Sequence, residues 1–195
     1  MSDEVKFRIQ QSAKRLFAKQ GYAGTSVRQI CEEAGANVAL VSYYFGGKEK
    51  LLLSLYQQFF QISERVAKVE SSSDPVEKMR LFIREFIEHM STDKDTALLV
   101  HNELVLQSER MADVHDFIYP VWSRVQQVLK EGREQGKFHF QSLDQALMHV
   151  AGTLLFSILN HAVSPLLEEQ EHDFELMVTE RTRYILGGLG VHPIE

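Results

Sequence analysis

Apolar positions along this chain recur at steps of three and four residues and nowhere alternate, so the pattern predicts helices throughout and no strand. Residues 5–19 place Ile9, Ala13, Leu16 and Phe17 on one face, with Ser2 or Asp3 as cap and Gly21 as the stop. A second helix opens at Thr25, a residue able to cap. Val27, Ile30, Cys31 and Ala34 recur behind it, and Gly35 supplies a left-handed end. Asn37 then offers a cap for a short helix over residues 38–45, which buries Val41 and Phe45 and turns Ala39, Ser42 and Tyr43 outward. Gly46-Gly47 breaks it. Lys48 starts a long helix to about residue 69, with Leu52, Leu55, Phe59, Ile62 and Val66 on its buried side.

Ser71-Ser72-Ser73 reads as a linker, after which Asp74-Pro75-Val76-Glu77 restarts the chain with a capping pattern and proline at the first helical position. The fifth helix takes its face from Val76, Met79, Ile83, Phe86 and Met90. A polar turn over residues 91–95 precedes a sixth helix at about 96–107. The seventh covers roughly 113–135, with Pro120 predicting a kink or a later start and Gly136 the end. Ser142 and Gln145 form a second capping pattern. The eighth helix follows and ends before Pro165. An acidic run, residues 168–173, separates it from a ninth helix at about 174–186. The fold class is all-α: an N-terminal three-helix head containing a helix-turn-helix, and a larger C-terminal helical body.

Composition adds bounds. At 195 residues the chain is long enough for one or two domains with a real core, and 44% hydrophobic and 25% charged residues fit neither a disordered nor a membrane protein. The longest apolar run, residues 150–159, is too short to span a bilayer, and the first residues lack the apolar core of a signal peptide. Cys31 is the single cysteine. No intrachain disulfide is possible, which fits a reducing cytoplasm. The net charge of −6 argues against nucleic acid until it is divided. Residues 1–50 hold eight Lys/Arg against five Asp/Glu, and residues 51–195 hold thirteen against twenty-two. A basic head on an acidic body confines phosphate attraction to one end.

Two short helices joined across Gly35-Ala36-Asn37 make a helix-turn-helix whose second member is sized for a major groove, although helical hairpins of other kinds share that pattern. The stretch AGANVALVSYYFGGKEKLL resembles the signature of the TetR family of bacterial transcriptional regulators, and AKRLFAKQGYAGTSVRQI upstream matches that family's first helix, its Gly-aromatic turn and the start of its second. The resemblance covers about the first fifty residues. It implies a dimeric, ligand-responsive regulator, with a DNA-binding domain at residues 1–47 and a ligand-binding and dimerisation domain at 48–195. It places DNA contacts at Val38, Ala39, Ser42, Tyr43 and Tyr44, at Thr25 or Ser26, and at Lys48. The short helix over 38–45 lacks Lys, Arg and Gln, so affinity is expected to come from phosphate contacts at its edges, with Arg28 a further candidate. Base choice then rests on methyl contacts and DNA shape.

In the body, His149, Thr153, Ser157, Asn160 and His161 share one arc of the eighth helix. The arc fits either a pocket wall, where polar groups orient an apolar ligand, or the dimer interface, which the family builds largely from helices eight and nine. Leu99, Leu104, Phe117, Val121, Trp122 and Val125 are candidates for the rest of a ligand pocket and equally for plain core. Leu154, Ile158, Met177, Tyr184 and Ile185 supply apolar surface for dimerisation. No His pair stands at i, i+4 and the cysteine has no partner motif, so neither a metal nor a cofactor is expected. Catalytic motifs are missing, and an enzyme is not expected. The expected function is a cytoplasmic repressor that binds a palindromic operator as a homodimer and is released by a small, largely apolar effector. Its alternative is a helix-turn-helix protein whose body docks a protein partner. No membrane partner is expected.

Overall fold

The structure, a computed structural model, describes residues 2–60, 72–106, 111–156, 166 and 173–191, without the side chains of residues 2, 60, 104–106 and 111–114. Among the described residues there are nine helices and no strand: α1 Ser2–Gly24, α2 Val27–Ala34, α3 Ala39–Phe45, α4 Lys48–Phe60, α5 Pro75–Thr92, α6 Lys94–Leu106, α7 Met111–Glu134, α8 Leu143–Leu155 and α9 Phe174–Gly188. Ile62, Val66, Ile158, Asn160 and His161 lie outside the described residues, as does the acidic run before Asp173. Packing forms two compact units, residues 1–61 with 93–118, and residues 62–92 with 119–195. The sequence reading divides the chain at residue 47. The packing units differ from it because α4 and α6 both pack on α1.

In the first unit α1 buries Ile9, Ala13 and Phe17, as its periodicity asks, with Leu16 half-buried beside them. The helix is interrupted at Gly21 (φ 76°, ψ 165°), a backbone conformation open to glycine. Ile30, Cys31 and Ala34 of α2, Val41 and Phe45 of α3, and Leu51, Leu52, Leu55, Tyr56 and Phe59 of α4 complete the apolar interior. Burial also pushes the Cys31 thiol up. Polar ties fix the helices: Arg8 Nε donates to the Ala34 carbonyl at 3.1 Å, and Arg15 reaches Glu33 at 2.7 Å. The polar turn expected over 91–95 shrinks to Asp93. Its carboxylate accepts from the Thr96 N–H at 3.2 Å and the Thr96 hydroxyl at 2.9 Å, capping α6, and from Lys14 Nζ of α1 at 2.9 Å.

The second unit is built around α5. The expected stripe catches Met79, Ile83 and Phe86, but Phe82 and Ile87 are buried as well, because apolar helices surround α5 on more than one side. Val125, Val128 and Leu129 of α7, Ala146, Val150 and Leu154 of α8, and Val178, Ile185 and Leu186 of α9 share one core with it. Leu154 and Ile185 are therefore corrected from dimer surface to interior, 1% and 5% exposed. Helix α7 runs through Pro120, starting earlier than that residue suggested. Past its end the Gly132 carbonyl accepts from both Lys137 and Phe138 N–H, at 2.8 and 2.9 Å, and the His139 N–H donates to the Leu189 carbonyl at 2.8 Å. This stitches the α7–α8 connection to the end of α9.

One ion pair in this unit makes stability depend on acidity. Lys78 Nζ lies 2.7 Å from Glu131 Oε2, with both side chains mostly shielded, 18% and 26% exposed. The Lys78 ammonium, helped by the Gln127 amide, holds the Glu131 carboxyl below the usual carboxylate range. A carboxyl depressed on folding stabilises the fold above its unfolded value, near 4.5, and loses that contribution as pH falls through the folded one. Lys78→Met should therefore flatten the acid side of a plot of urea midpoint against pH while leaving its slope near neutrality alone. An unchanged acid limb would show that the pair contributes nothing.

Candidate nucleic-acid interface

The outward face of α3 follows from how little of it the head can bury. Val41 is fully buried and Phe45 is 9% exposed, which commits one side to the core. The other side carries Ala39 and Ser42, both exposed, with Val38 at 50% and Tyr43 at 79% exposure. Asn37 Oδ1 accepts from the Ala39 N–H at 2.9 Å and so does the capping expected of it, with Val38 already in helical conformation. Tyr44 is half-buried between Tyr43 and Phe45. Its ring meets theirs nearly edge-on at centroid distances of 5.1 and 6.3 Å. The face thus offers methyl groups and hydroxyls on a rigid aromatic base, and no cation.

The cations stand at the flanks. Lys48, at the start of α4, holds Nζ 4.0 Å over the Tyr22 ring, and Lys6 of α1 holds its ammonium 5.7 Å from the Phe45 ring centre. Arg28 pairs with Glu32 at 2.8 Å, but both side chains are largely exposed, so the pair is weak and open to competition by a phosphate. The neighbouring hydroxyls divide the roles the sequence left joined. Thr25 is 1% exposed and donates to the Gly21 carbonyl at 2.8 Å. Ser26 is the cap: its Oγ accepts from the Gln29 N–H at 3.2 Å, and its own N–H donates to Gln29 Oε1 at 2.8 Å. Sequence reading passed over Gln29, although a serine followed three residues later by glutamine is the signal for this box. Lys6 had no such signal, since only the fold brings it beside Phe45.

The body candidates fall in both packing units. Leu99, buried, and Phe117, half-buried, belong to the first unit, while Val125, buried, and Val121 and Trp122, half-buried, belong to the second. Trp122 stacks in an aromatic cluster, 6.2 Å from Phe82 and 5.6 Å from Phe86 between ring centres. The side chain of Leu104, and all of Ser157, lie outside the described residues. His149 and Thr153 are exposed. They line a groove of about 310 Å³ between α8 and α9, with Ala146, Tyr184, Ile185 and Gly188. Around these two helices Met148, Phe156, Leu176 and Tyr184 are 65, 54, 49 and 71% exposed. Among the described residues no group of three acidic, His or Cys side chains is placed to hold a metal ion, and no helix is long and apolar enough to cross a membrane.

Residues 9–55 match the family described as bacterial regulatory proteins, tetR family, and residues 72–160 match the tetracyclin repressor-like C-terminal domain. The probable HTH-type transcriptional regulator YttP of Bacillus subtilis (strain 168) is 25% identical over 179 residues, covering 89% of this chain and 86% of that protein. HlyIIR, a hemolysin II transcriptional regulator, superposes with a TM-score of 0.74 at 24% identity, covering 92% of this chain and 98% of its own. FadR of Bacillus subtilis, solved in complex with stearoyl-CoA, does so with 0.75 at 19% identity, covering 96% and 100%. The last two are likenesses of fold. The two matched domains, with the match to YttP along most of both chains, settle the class: the chain belongs to the TetR family and is a helix-turn-helix, DNA-binding transcriptional regulator, not an enzyme.

Proposed function

We propose that this chain is a repressor that binds a palindromic operator as a homodimer and lets go of it when a small, largely apolar effector binds the body. The observation that carries the DNA-binding half is the exposed face of α3, Val38, Ala39, Ser42 and Tyr43, beside Lys48 on a basic head. Val38 and Ala39 contact thymine methyls, Ser42 and Tyr43 offer hydroxyls to base edges or phosphates, and Lys48, Ser26 and Arg28 hold the backbone. Thr25, buried and bonded to Gly21, positions Ser26, and Tyr44 positions Tyr43. Dimerisation runs through α8 and α9, where the exposed Met148, Phe156, Leu176 and Tyr184 flank His149 and Thr153. The effector sits against the aromatic cluster of Trp122 with Val121 and Val125. That a protein of the same fold was solved with stearoyl-CoA supports an apolar ligand for this one.

Duplexes selected from a random pool should yield a two-fold symmetric site, and Lys48→Ala should weaken binding to that site and to random DNA alike, lowering the slope of log affinity against log salt by about one. Replacing Val38 by Thr should instead change the preferred sequence and leave the slope alone. Selected duplexes without two-fold symmetry, or a Lys48→Ala effect confined to sequence preference, would show that these roles are wrong.

A further inference from the structure

Helices α5 and α9 flank a second cleft, of about 520 Å³, apart from the aromatic cluster and from the α8–α9 groove. Leu81, Val178 and Leu186 line it with apolar residues, and Arg80, Arg84 and Arg183 are three basic residues of its lining. These stand in the part of the chain that carries excess acid, thirteen Lys/Arg against twenty-two Asp/Glu over residues 51–195. Among the described residues Glu77 is the one carboxylate in the lining of the cleft.

The three arginines are not equivalent. Arg84 donates through both terminal nitrogens to Glu175, at 2.7 and 2.6 Å, and lies 5.7 Å over the Phe174 ring. Arg183 is paired with Glu180 and lies 5.6 Å from the Tyr184 ring centre. Both are therefore anchored, with their charge largely matched. A guanidinium has five donor hydrogens, so an anchored one still has N–H groups to offer. Arg80 has no hydrogen-bond or ion-pair partner among the described residues. Its charge is the unmatched one. Thr179 and Thr182 are hydroxyl-bearing residues of the same lining, and Thr182 is 7% exposed.

We infer that this cleft is a binding site for a free amphiphilic anion, a carboxylate or phosphate head on an apolar tail, with the head on Arg80 and the tail against Leu81, Val178 and Leu186. A cleft of this volume suits a small molecule, with apolar walls and a few polar groups that fix orientation. A nucleic acid fits less well, since its many phosphates would meet the surrounding acidic side chains.

Calorimetric titration of the full chain with decanoate, decyl phosphate and the uncharged decanol tests this directly. Both anions should bind at least tenfold tighter than decanol. Arg80→Ala should weaken decanoate about tenfold, the scale of a hydrogen bond to a charged group, and Thr182→Val about threefold. Arg80 is exposed, so its replacement should leave the melting curve in place. Equal binding of decanol, or decanoate binding untouched by Arg80→Ala, would overturn the assignment. So would decanoate binding lost in Trp122→Ala but kept in Arg80→Ala, which would put the ligand in the aromatic cluster. Co-sedimentation with phosphatidylglycerol vesicles covers the other source of such a head: vesicle binding through Arg80 without binding of free decyl phosphate would make the partner a membrane surface and overturn the free-ligand assignment. The readout is binding without DNA, so it stands apart from the outcome of the operator selection.

Discussion

A Met148→Asp/Tyr184→Asp variant should run as a single 22.4 kDa chain in light scattering where the unaltered protein runs at twice that mass. Large apolar side chains left in water on two packed helices are surface that a partner can cover, and a two-fold interface presents each of them twice. Met148 at 65% and Tyr184 at 71% exposure contribute little to the fold of their own chain, so their replacement should spare it. In the dimer, four carboxylates would enter apolar contact, each costing several kcal/mol to bury unpaired. Operator affinity should then fall toward that for random DNA, a loss of about 10³ or more, because a single head reads only half of a palindrome. A variant that stays dimeric would move the interface off α8 and α9.

Gly132→Ala should lower stability by about 3 kcal/mol, the upper end of the cost of overpacking a core. A Cβ on Gly132 would sit 2.0 Å from Phe138 Cδ2 and 2.4 Å from Cε2. Phe138 is 1% exposed, and its N–H is bonded to the Gly132 carbonyl, so neither ring nor backbone is free to retreat. For a chain of this length the melting temperature should drop by roughly 6–12 °C. Adding Phe138→Leu should return part of the loss, since the two changes share one contact. A melting temperature unmoved by Gly132→Ala would mean that the close approach imposes no constraint.

The head was the more legible part of the sequence. Each of its helices has one wet side, so a period of 3.6 sorts its residues correctly: Val41 and Phe45 in, Ala39, Ser42 and Tyr43 out. The error at Thr25 came from two adjacent hydroxyls competing for one cap, where Gln29 gives the decision to Ser26. In the body the same period loses power. Helix α5 is covered on several sides, so reading a single stripe missed Phe82 and Ile87. Helices α8 and α9 each have two apolar faces, and nothing in a sequence says which of them meets its own core. Leu154 and Ile185 went inward while Met148 and Tyr184 stayed out. Contacts far apart in sequence, such as Lys14 with Asp93 or Arg84 with Glu175, leave no periodic trace at all.

The lysine resting on Tyr22 bears on the thermodynamics of DNA binding. A free lysine side chain carries about 2 kcal/mol of rotamer entropy, part of which is surrendered when its ammonium is fixed against a phosphate. Lys48 already has Nζ placed 4.0 Å over an aromatic ring, so some of that freedom is given up when the head folds rather than when it meets DNA. The ring acts as a post that presents the charge near the end of the reading helix before any duplex arrives. If Lys48 makes the phosphate contact proposed for it, association there is opposed by less disorder lost, and its enthalpy has to supply correspondingly less.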